Sequence, residues 1–189
     1  MNHSFFGRSA RKGYWQRSGR VAMAMLLAVL VLANMMLIFH FSSAGKEESG
    51  DLSQGVTNTV MRLLHPNFKN LGFGSKLLLL QKNHIIVRKA AHFCEFALLG
   101  FLVTCFLCFL SHHFKRLRPW VTWAAPSGFA LLYAISDEIH QIFSNRGPRF
   151  TDVLIDFSGA ICGILVVHGL ILFFTHGKRK PDADLEEGR

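Results

Sequence analysis

Four long apolar stretches constrain the fold of this chain more than any other feature. They lie near residues 21–41, 90–110, 120–143 and 152–174. A helix needs about 20 apolar residues to cross the hydrocarbon core of a bilayer, and each stretch reaches that length. The chain is 50% hydrophobic and only 17% charged, which is typical of a small membrane protein. We therefore predict an all-α, four-span transmembrane helical bundle over residues 21–175.

Basic residues flank these stretches and predict their orientation. Arg and Lys are concentrated in segment 1–20, in loop 111–119 and at the start of the tail 176–189. Since loops rich in Arg and Lys stay in the cytoplasm, four spans place both termini there. Segment 44–88 and turn 144–150 then face outward. The net charge of +9 comes without a recognition motif for nucleic acid, so we do not expect a nucleic-acid partner.

The first stretch has two possible fates. Its apolar core runs from Val21 to about Phe39 and is longer than the apolar core of a secretory signal peptide, which is about 7–15 residues. This length predicts an uncleaved membrane anchor. Ser42 and Ala44 have the spacing of a cleavage site, so cleavage is the alternative.

Eleven polar residues lie in or beside the last three stretches and, in this topology, reach the outer side of the membrane together. They are Arg88, His92, Glu95, Asp137, Glu138, His140, Gln141, Arg146, Arg149, Asp152 and Asp156. A charged side chain at membrane depth costs roughly 2.5–3.5 kcal/mol even on the mildest insertion scale. We therefore predict a polar cluster at the extracytoplasmic ends of helices 2 to 4.

Helical periodicity groups most of these residues into three faces. The first face contains Arg88, His92 and Glu95; the second contains Asp137, His140 and Gln141; the third contains Arg149, Asp152 and Asp156. Gly159 and Gly163 continue the third face in the small-xxx-small pattern that lets transmembrane backbones approach closely. The charged face of the last helix is thus predicted to point into the bundle. His168 lies on the opposite face, where we predict a structural role.

The long connection before the second stretch has weaker patterns. A short helix is predicted near residues 56–64. Residues 77–87 alternate apolar and polar blocks that are too interrupted to span a membrane, and we predict an interfacial segment that leads into the second helix.

Several strings of residues resemble the VanZ-like family of small bacterial membrane proteins. They are Arg88-Lys89-x-x-His92-Phe93-x-Glu95-Phe96, Ser136-Asp137-Glu138-x-His140-Gln141-x-Phe143, Arg146 with Arg149, and Asp152-x-x-x-Asp156-x-x-Gly159. The resemblance implies a multi-pass protein of a bacterial inner or plasma membrane and the same site residues. The family is named for a member that lowers susceptibility to teicoplanin, so an effect on glycopeptide susceptibility is implied as well.

The first functional hypothesis is an outward-facing pocket that binds or acts on a polar or phosphate-bearing envelope lipid or cell-wall precursor. Arginine guanidinium groups would hold the anion by charge-assisted hydrogen bonds. His92 or His140 would act as general base or acid. The candidate catalytic residues are Arg88, His92, Glu95, Asp137, His140, Gln141, Arg149, Asp152 and Asp156. The pattern leaves open whether any reaction occurs.

Two alternatives remain. His92 with Glu95, and Asp137 with His140, have the three-residue spacing by which bundle helices present metal ligands. Three nearby guanidinium groups oppose a divalent cation, so we expect no metal and no other cofactor. The other alternative is a non-enzymatic transporter, lipid-moving protein or assembly factor whose charged cluster is a structural or gating ion-pair network.

Overall fold

The computed structural model describes residues 4–43, 55, 57–63, 65, 67–114, 118–143 and 149–176. Within these residues it contains four long helices and no strand: α1 (Ser4–Ser43), α2 (Phe73–Phe114), α3 (Val121–Phe143) and α4 (Phe150–His176). A short helical stretch at 57–63 agrees with the helix predicted near 56–64, and a 3₁₀ helix follows at Phe68–Asn70. Arg146, the two basic residues at 115 and 116, and the tail from residue 177 onward lie outside the described residues.

Three helices are long and apolar enough to cross a membrane. The candidate spans are Arg17–Ser43, Phe73–His113 and Phe150–His176, with hydropathies of 2.6, 2.3 and 2.3. The 23-residue α3 is not among them, because polar and small residues interrupt its apolar positions and its last turns contain Asp137 and Glu138. The chain is thus an all-helical membrane protein, and the count of four spans stays a prediction.

The segment predicted at 77–87 and the second span form one continuous helix. α2 runs without interruption from Phe73 to Phe114, a length of 42 residues. The interfacial position of residues 77–87 stays a prediction. At about 1.5 Å per residue it is roughly 60 Å long, twice the thickness of a hydrocarbon core. The polar block at 81–84 contains no Gly or Pro, the residues that end helices most effectively, so the backbone hydrogen bonds continue through it.

Interhelical contacts define the direction of each helix. Late residues of α1 contact late residues of α3, because the Tyr133 hydroxyl donates to the Met35 carbonyl and the Ser42 hydroxyl donates to Asp137. α2 and α4 also run parallel to each other, since Phe93 faces Gly159 and Ala97 faces Gly163. The pair α1 and α3 runs in the direction opposite to the pair α2 and α4, so helix direction alternates along the chain.

An apolar core lies between the four helices. It contains Ile38 of α1, Phe96, Leu99 and Val103 of α2, Ala130 and Ala134 of α3, and Val153 and Ala160 of α4. The Phe96 ring packs against Tyr133, with ring centroids 6.0 Å apart. Large apolar side chains cover much of the outer surface, as a lipid-facing bundle requires.

Glycines allow α2 and α4 to approach closely. A Cβ atom added at Gly159 would collide with the Phe93 carbonyl, and one added at Gly163 would collide with the Ala97 carbonyl. Gly100 of α2 faces the backbone of Ala160 in the same way. The predicted close approach through Gly159 and Gly163 is therefore confirmed, and the most extensive interhelical contact of the described residues is the one between α2 and α4.

Gly163→Ala should destabilise the protein, since the new methyl group has no space beside the Ala97 carbonyl. We expect a loss of about 1–3 kcal/mol in the free energy of unfolding, typical of overpacking. Gly169→Ala on the same helix is the control, because nothing lies within 4 Å of its added Cβ atom. Thermal unfolding of the purified protein in detergent would measure both. Equal melting temperatures for the two variants would contradict the close approach.

Candidate functional site

Polar side chains from all four helices meet at one level of the bundle. They come from the last turn of α1, from residues 88–95 of α2, from the last turns of α3 and from the first turns of α4. The antiparallel arrangement produces this meeting, because α1 and α3 end where α4 begins. α2 contributes from its middle because its first turns extend past this level.

Asp137 lies at the centre of this region and is 4% exposed. Its Oδ2 atom accepts hydrogen bonds from the Ser42 hydroxyl and from Gln141 Nε2, each at 3.0 Å. Ser42 is fully buried and Gln141 is 4% exposed. The carboxylate is therefore fixed by a neighbour on its own helix and by the end of α1.

A polar pocket opens beside Asp137, between α2, α3 and α4. It is lined by Arg88, Lys89, His92, Gln141, Asp152, Ile155 and Asp156, and encloses about 270 Å³ of empty space that includes open solvent. Lys89 Nζ forms an ion pair with Asp152 Oδ1 at 2.6 Å. Six polar residues from three helices thus surround one small space.

Three potential metal ligands converge within this region. One ligand atom each from His92, Asp137 and Asp156 lies within 4.8 Å of the other two. Glu95 Oε2 lies 3.8 Å from His92 Nδ1 and is buried without a hydrogen-bond partner in the part of the chain that the structure describes. One imidazole with two carboxylates is a set that a divalent cation accepts.

The connection between α3 and α4 has a different geometry from the sequence prediction. The buried Glu138 carboxylate accepts a hydrogen bond from the backbone N–H of Arg149, which joins the end of α3 to the start of α4. The Arg149 residue itself is exposed and does not line the pocket. The backbone of Arg149 thus holds the start of α4 against Glu138. The role of its side chain in binding an anion stays a prediction.

His140 contacts α1 and does not line the pocket. Its Nε2 atom lies 3.0 Å from the Ser43 hydroxyl, and its ring packs on Phe39 with centroids 4.5 Å apart. The predicted face with Asp137 and Tyr133 therefore packs against α1. Of the two candidate histidines, the structure brings only His92 to the pocket.

Sequence analysis missed two contributors to the site. Lys89 pairs with Asp152, although the sequence assigned this role to arginines. Lys89 lies next to Arg88 in the first motif, and this position could have identified it as a site residue. Ser42 was missed because serine is common at helix ends and no spacing relates it to Asp137, 95 residues away.

His168 lies at the other end of the α3–α4 contact. Its ring stacks on Trp123 with centroids 3.7 Å apart, and its Nδ1 and Nε2 atoms lie near the Ile164 carbonyl and the Thr122 hydroxyl at 3.0 and 3.3 Å. With both nitrogens satisfied by its neighbours, this buried histidine fits the predicted structural role.

Comparison with known proteins supports the motif assignment. A family model described as VanZ/LLP1 matches residues 26–174, which contain the described polar site, the C-terminal part of α1, all of α2 and α3 and nearly all of α4. No curated protein and no solved structure matches the chain significantly. Since the matched region covers most of the 189 residues, the chain belongs to the VanZ/LLP1 family.

Proposed function

We propose that this protein binds the phosphate-bearing headgroup of an envelope lipid or lipid-linked cell-wall precursor in the pocket beside Asp137. The observation that carries the proposal is Arg88, which lines the pocket and has no acidic partner at ion-pair distance among the described residues. An arginine suits a phosphate because its guanidinium donates hydrogen bonds to two oxygens at once. Lys89, which pairs with Asp152, borders the same space, and His92 and Gln141 add hydrogen-bonding groups.

The size of the pocket favours a headgroup over an antibiotic. Pockets for drug-sized ligands typically measure about 300–1,000 Å³. Most of the space beside Asp137 is open to solvent, and its enclosed part is about 10 Å³, room for roughly one water molecule. An intact antibiotic does not fit, and a phosphate would enter from the open side as the lining side chains move apart. An effect on teicoplanin would then arise indirectly, through the lipid or precursor that the pocket binds.

The proposed topology has four spans, with the pocket facing outward and both termini in the cytoplasm. The alternating helix directions support it, as do Arg17, Arg20 and Arg118, which lie toward the end of the bundle opposite Asp137. Such basic residues are typical of cytoplasmic ends. In this topology a headgroup of the outer leaflet reaches the pocket from the side of Arg149.

Arg88→Gln should weaken binding of a polyprenyl phosphate to the purified full-length protein. Loss of a charge-assisted hydrogen bond of about 1.5–3 kcal/mol corresponds to a roughly 10–100-fold weaker affinity. Native mass spectrometry in detergent would measure the bound lipid, with phosphatidylcholine as the zwitterionic comparison. Lys76→Gln is the matched control, since Lys76 lies on the same helix and lines a different groove. Equal binding by wild type and Arg88→Gln would exclude this pocket as the phosphate site.

A second candidate is a purely structural network. Two sets of contacts favour it. The Ser42–Asp137–Gln141 hydrogen bonds join α1 to α3, and the Lys89–Asp152 ion pair joins α2 to α4. The structural network and the binding proposal predict different effects of mutation on the amount of protein in the membrane.

His92→Ala should abolish any change in teicoplanin susceptibility that the wild type confers on a sensitive bacterial host. The protein should still accumulate in the membrane, because the Asp137 hydrogen bonds and the α2–α4 contact do not depend on the His92 side chain. His112→Ala, an exposed histidine near the end of α2, should behave as wild type. Quantitative immunoblots of the membrane fraction separate the two candidates. Loss of the His92→Ala protein in proportion to the phenotype would support the structural network instead.

A further inference from the structure

Asp156 is the least compensated charged group of the site. It is 3% exposed, it lines the pocket, and no hydrogen bond or ion pair reaches its carboxylate from the residues that the structure describes. The carboxylates of Asp137, Asp152, Glu138 and Glu95 all repel it. A buried carboxylate persists only when a cation or hydrogen-bond donors compensate its charge.

The described charges of the site do not balance. Four carboxylates, those of Glu95, Asp137, Asp152 and Asp156, face the two basic side chains of Arg88 and Lys89. Glu138 accepts from the Arg149 backbone, so this contact brings no basic side chain to the cluster. The described part of the cluster thus has more carboxyl groups than basic side chains, and a bound cation or protons must compensate them.

We propose that His92, Asp137 and Asp156 bind one divalent transition-metal cation, of the Zn²⁺ or Mn²⁺ type. Each residue already directs one ligand atom into a common space, with all three atoms within 4.8 Å of one another. Ligand atoms lie about 2.0–2.2 Å from such an ion, so three of them in tetrahedral positions are about 3.3–3.6 Å apart. Side-chain rotations that bring the three atoms up to about 1.5 Å closer together would complete the site.

The surroundings of these three residues resemble the outer shell of metal sites. Ligating carboxylates are usually held by further hydrogen bonds, and ligating histidines usually have a carboxylate behind the ring. Asp137 Oδ2 accepts from Ser42 and Gln141, which leaves Oδ1 available for an ion. Glu95 Oε2 lies on the Nδ1 side of the His92 ring at 3.8 Å, beyond hydrogen-bond distance, and would take the outer-shell position if the ring turns toward it.

The electrostatic objection from the sequence is weaker in the structure. Arg149 was one of three guanidinium groups expected to repel a cation, and its side chain is exposed outside the pocket. Lys89 is paired with Asp152 at 2.6 Å. Of the described basic groups, only Arg88 lines the pocket without an acidic partner at ion-pair distance. Imidazole nitrogen favours Zn²⁺ or Mn²⁺ over Ca²⁺ or Mg²⁺, which prefer oxygen ligands alone.

Metal analysis of the full-length protein tests this site separately from lipid binding. The protein would be purified in detergent through a tag without histidines, stripped with a chelator, and titrated with Zn²⁺, Mn²⁺ or Mg²⁺. We expect about one bound Zn²⁺ or Mn²⁺ per chain and weaker binding of Mg²⁺. Asp156→Asn and His92→Gln should each lower the affinity at least about 100-fold, more than the loss of an outer-shell group.

Glu138→Gln is the matched control for charge. It removes a neighbouring carboxylate that does not line the pocket, and the new amide oxygen can still accept the Arg149 N–H. Its affinity for the ion should fall less than about tenfold, below the roughly 10–100-fold effect of an outer-shell partner. Equal loss of affinity in Glu138→Gln and Asp156→Asn would show an unspecific effect of acidic charge and overturn the proposal.

Thermal stability gives a second readout, because the order of the melting temperatures of the wild type and Asp156→Asn should depend on the ion. The added ion should raise the melting temperature of the wild type and leave that of Asp156→Asn unchanged. Without metal, Asp156→Asn should melt above the wild type, because a repelled buried carboxylate has been removed. Failure of the wild type to bind any of the ions at millimolar concentration overturns the proposal, whatever the variants do.

Discussion

The close approach of α2 and α4 determines the geometry of everything at the site. Backbone carbonyls of Phe93 and Ala97 occupy the space where side chains would stand at Gly159 and Gly163. The two helices run parallel, so the residues one turn before each contact also come together. Lys89 thus meets Asp152, and His92 comes within reach of Asp156. Within a lipid bilayer, no hydrophobic effect drives helices together. Close van der Waals contact of this kind is therefore the main source of their association.

The polar residues can remain in the bundle because the other two helices cover them. α3 supplies Asp137 and Gln141, and the last turn of α1 covers both with the fully buried Ser42. Bonds to Ser42 and Gln141 reduce the cost of burying Asp137. Asp156 has no such bonds among the described residues, so its burial is compensated less than that of Asp137.

The motifs of the sequence predict the family. The sequence also predicts the helical class and the polar residues of the pocket except Lys89, because charged side chains in apolar helices are rare and their spacing assigns each to a face. It does not predict which groups pair. Lys89 and Arg149 are equally plausible partners for Asp152 on periodicity alone, and only the rotation of α2 against α4 selects Lys89. The continuous α2 was missed for a similar reason, since a polar block such as Gln81–Lys82–Asn83 interrupts hydropathy without interrupting a helix. Ser42 lies too far from Asp137 in the sequence for any local pattern to connect them.

The most direct test of this account is a zero-length cross-link between native side chains. A water-soluble carbodiimide joins an amine and a carboxylate only when they are in contact, as Lys89 Nζ and Asp152 Oδ1 are at 2.6 Å. Mass spectrometry of the digested full-length protein should identify an amide bond between Lys89 and Asp152, and Asp152→Asn should remove it. Cross-links from Lys89 only to acids outside α4, with none to Asp152, would contradict the meeting of α2 and α4 on which the pocket and the cation site depend.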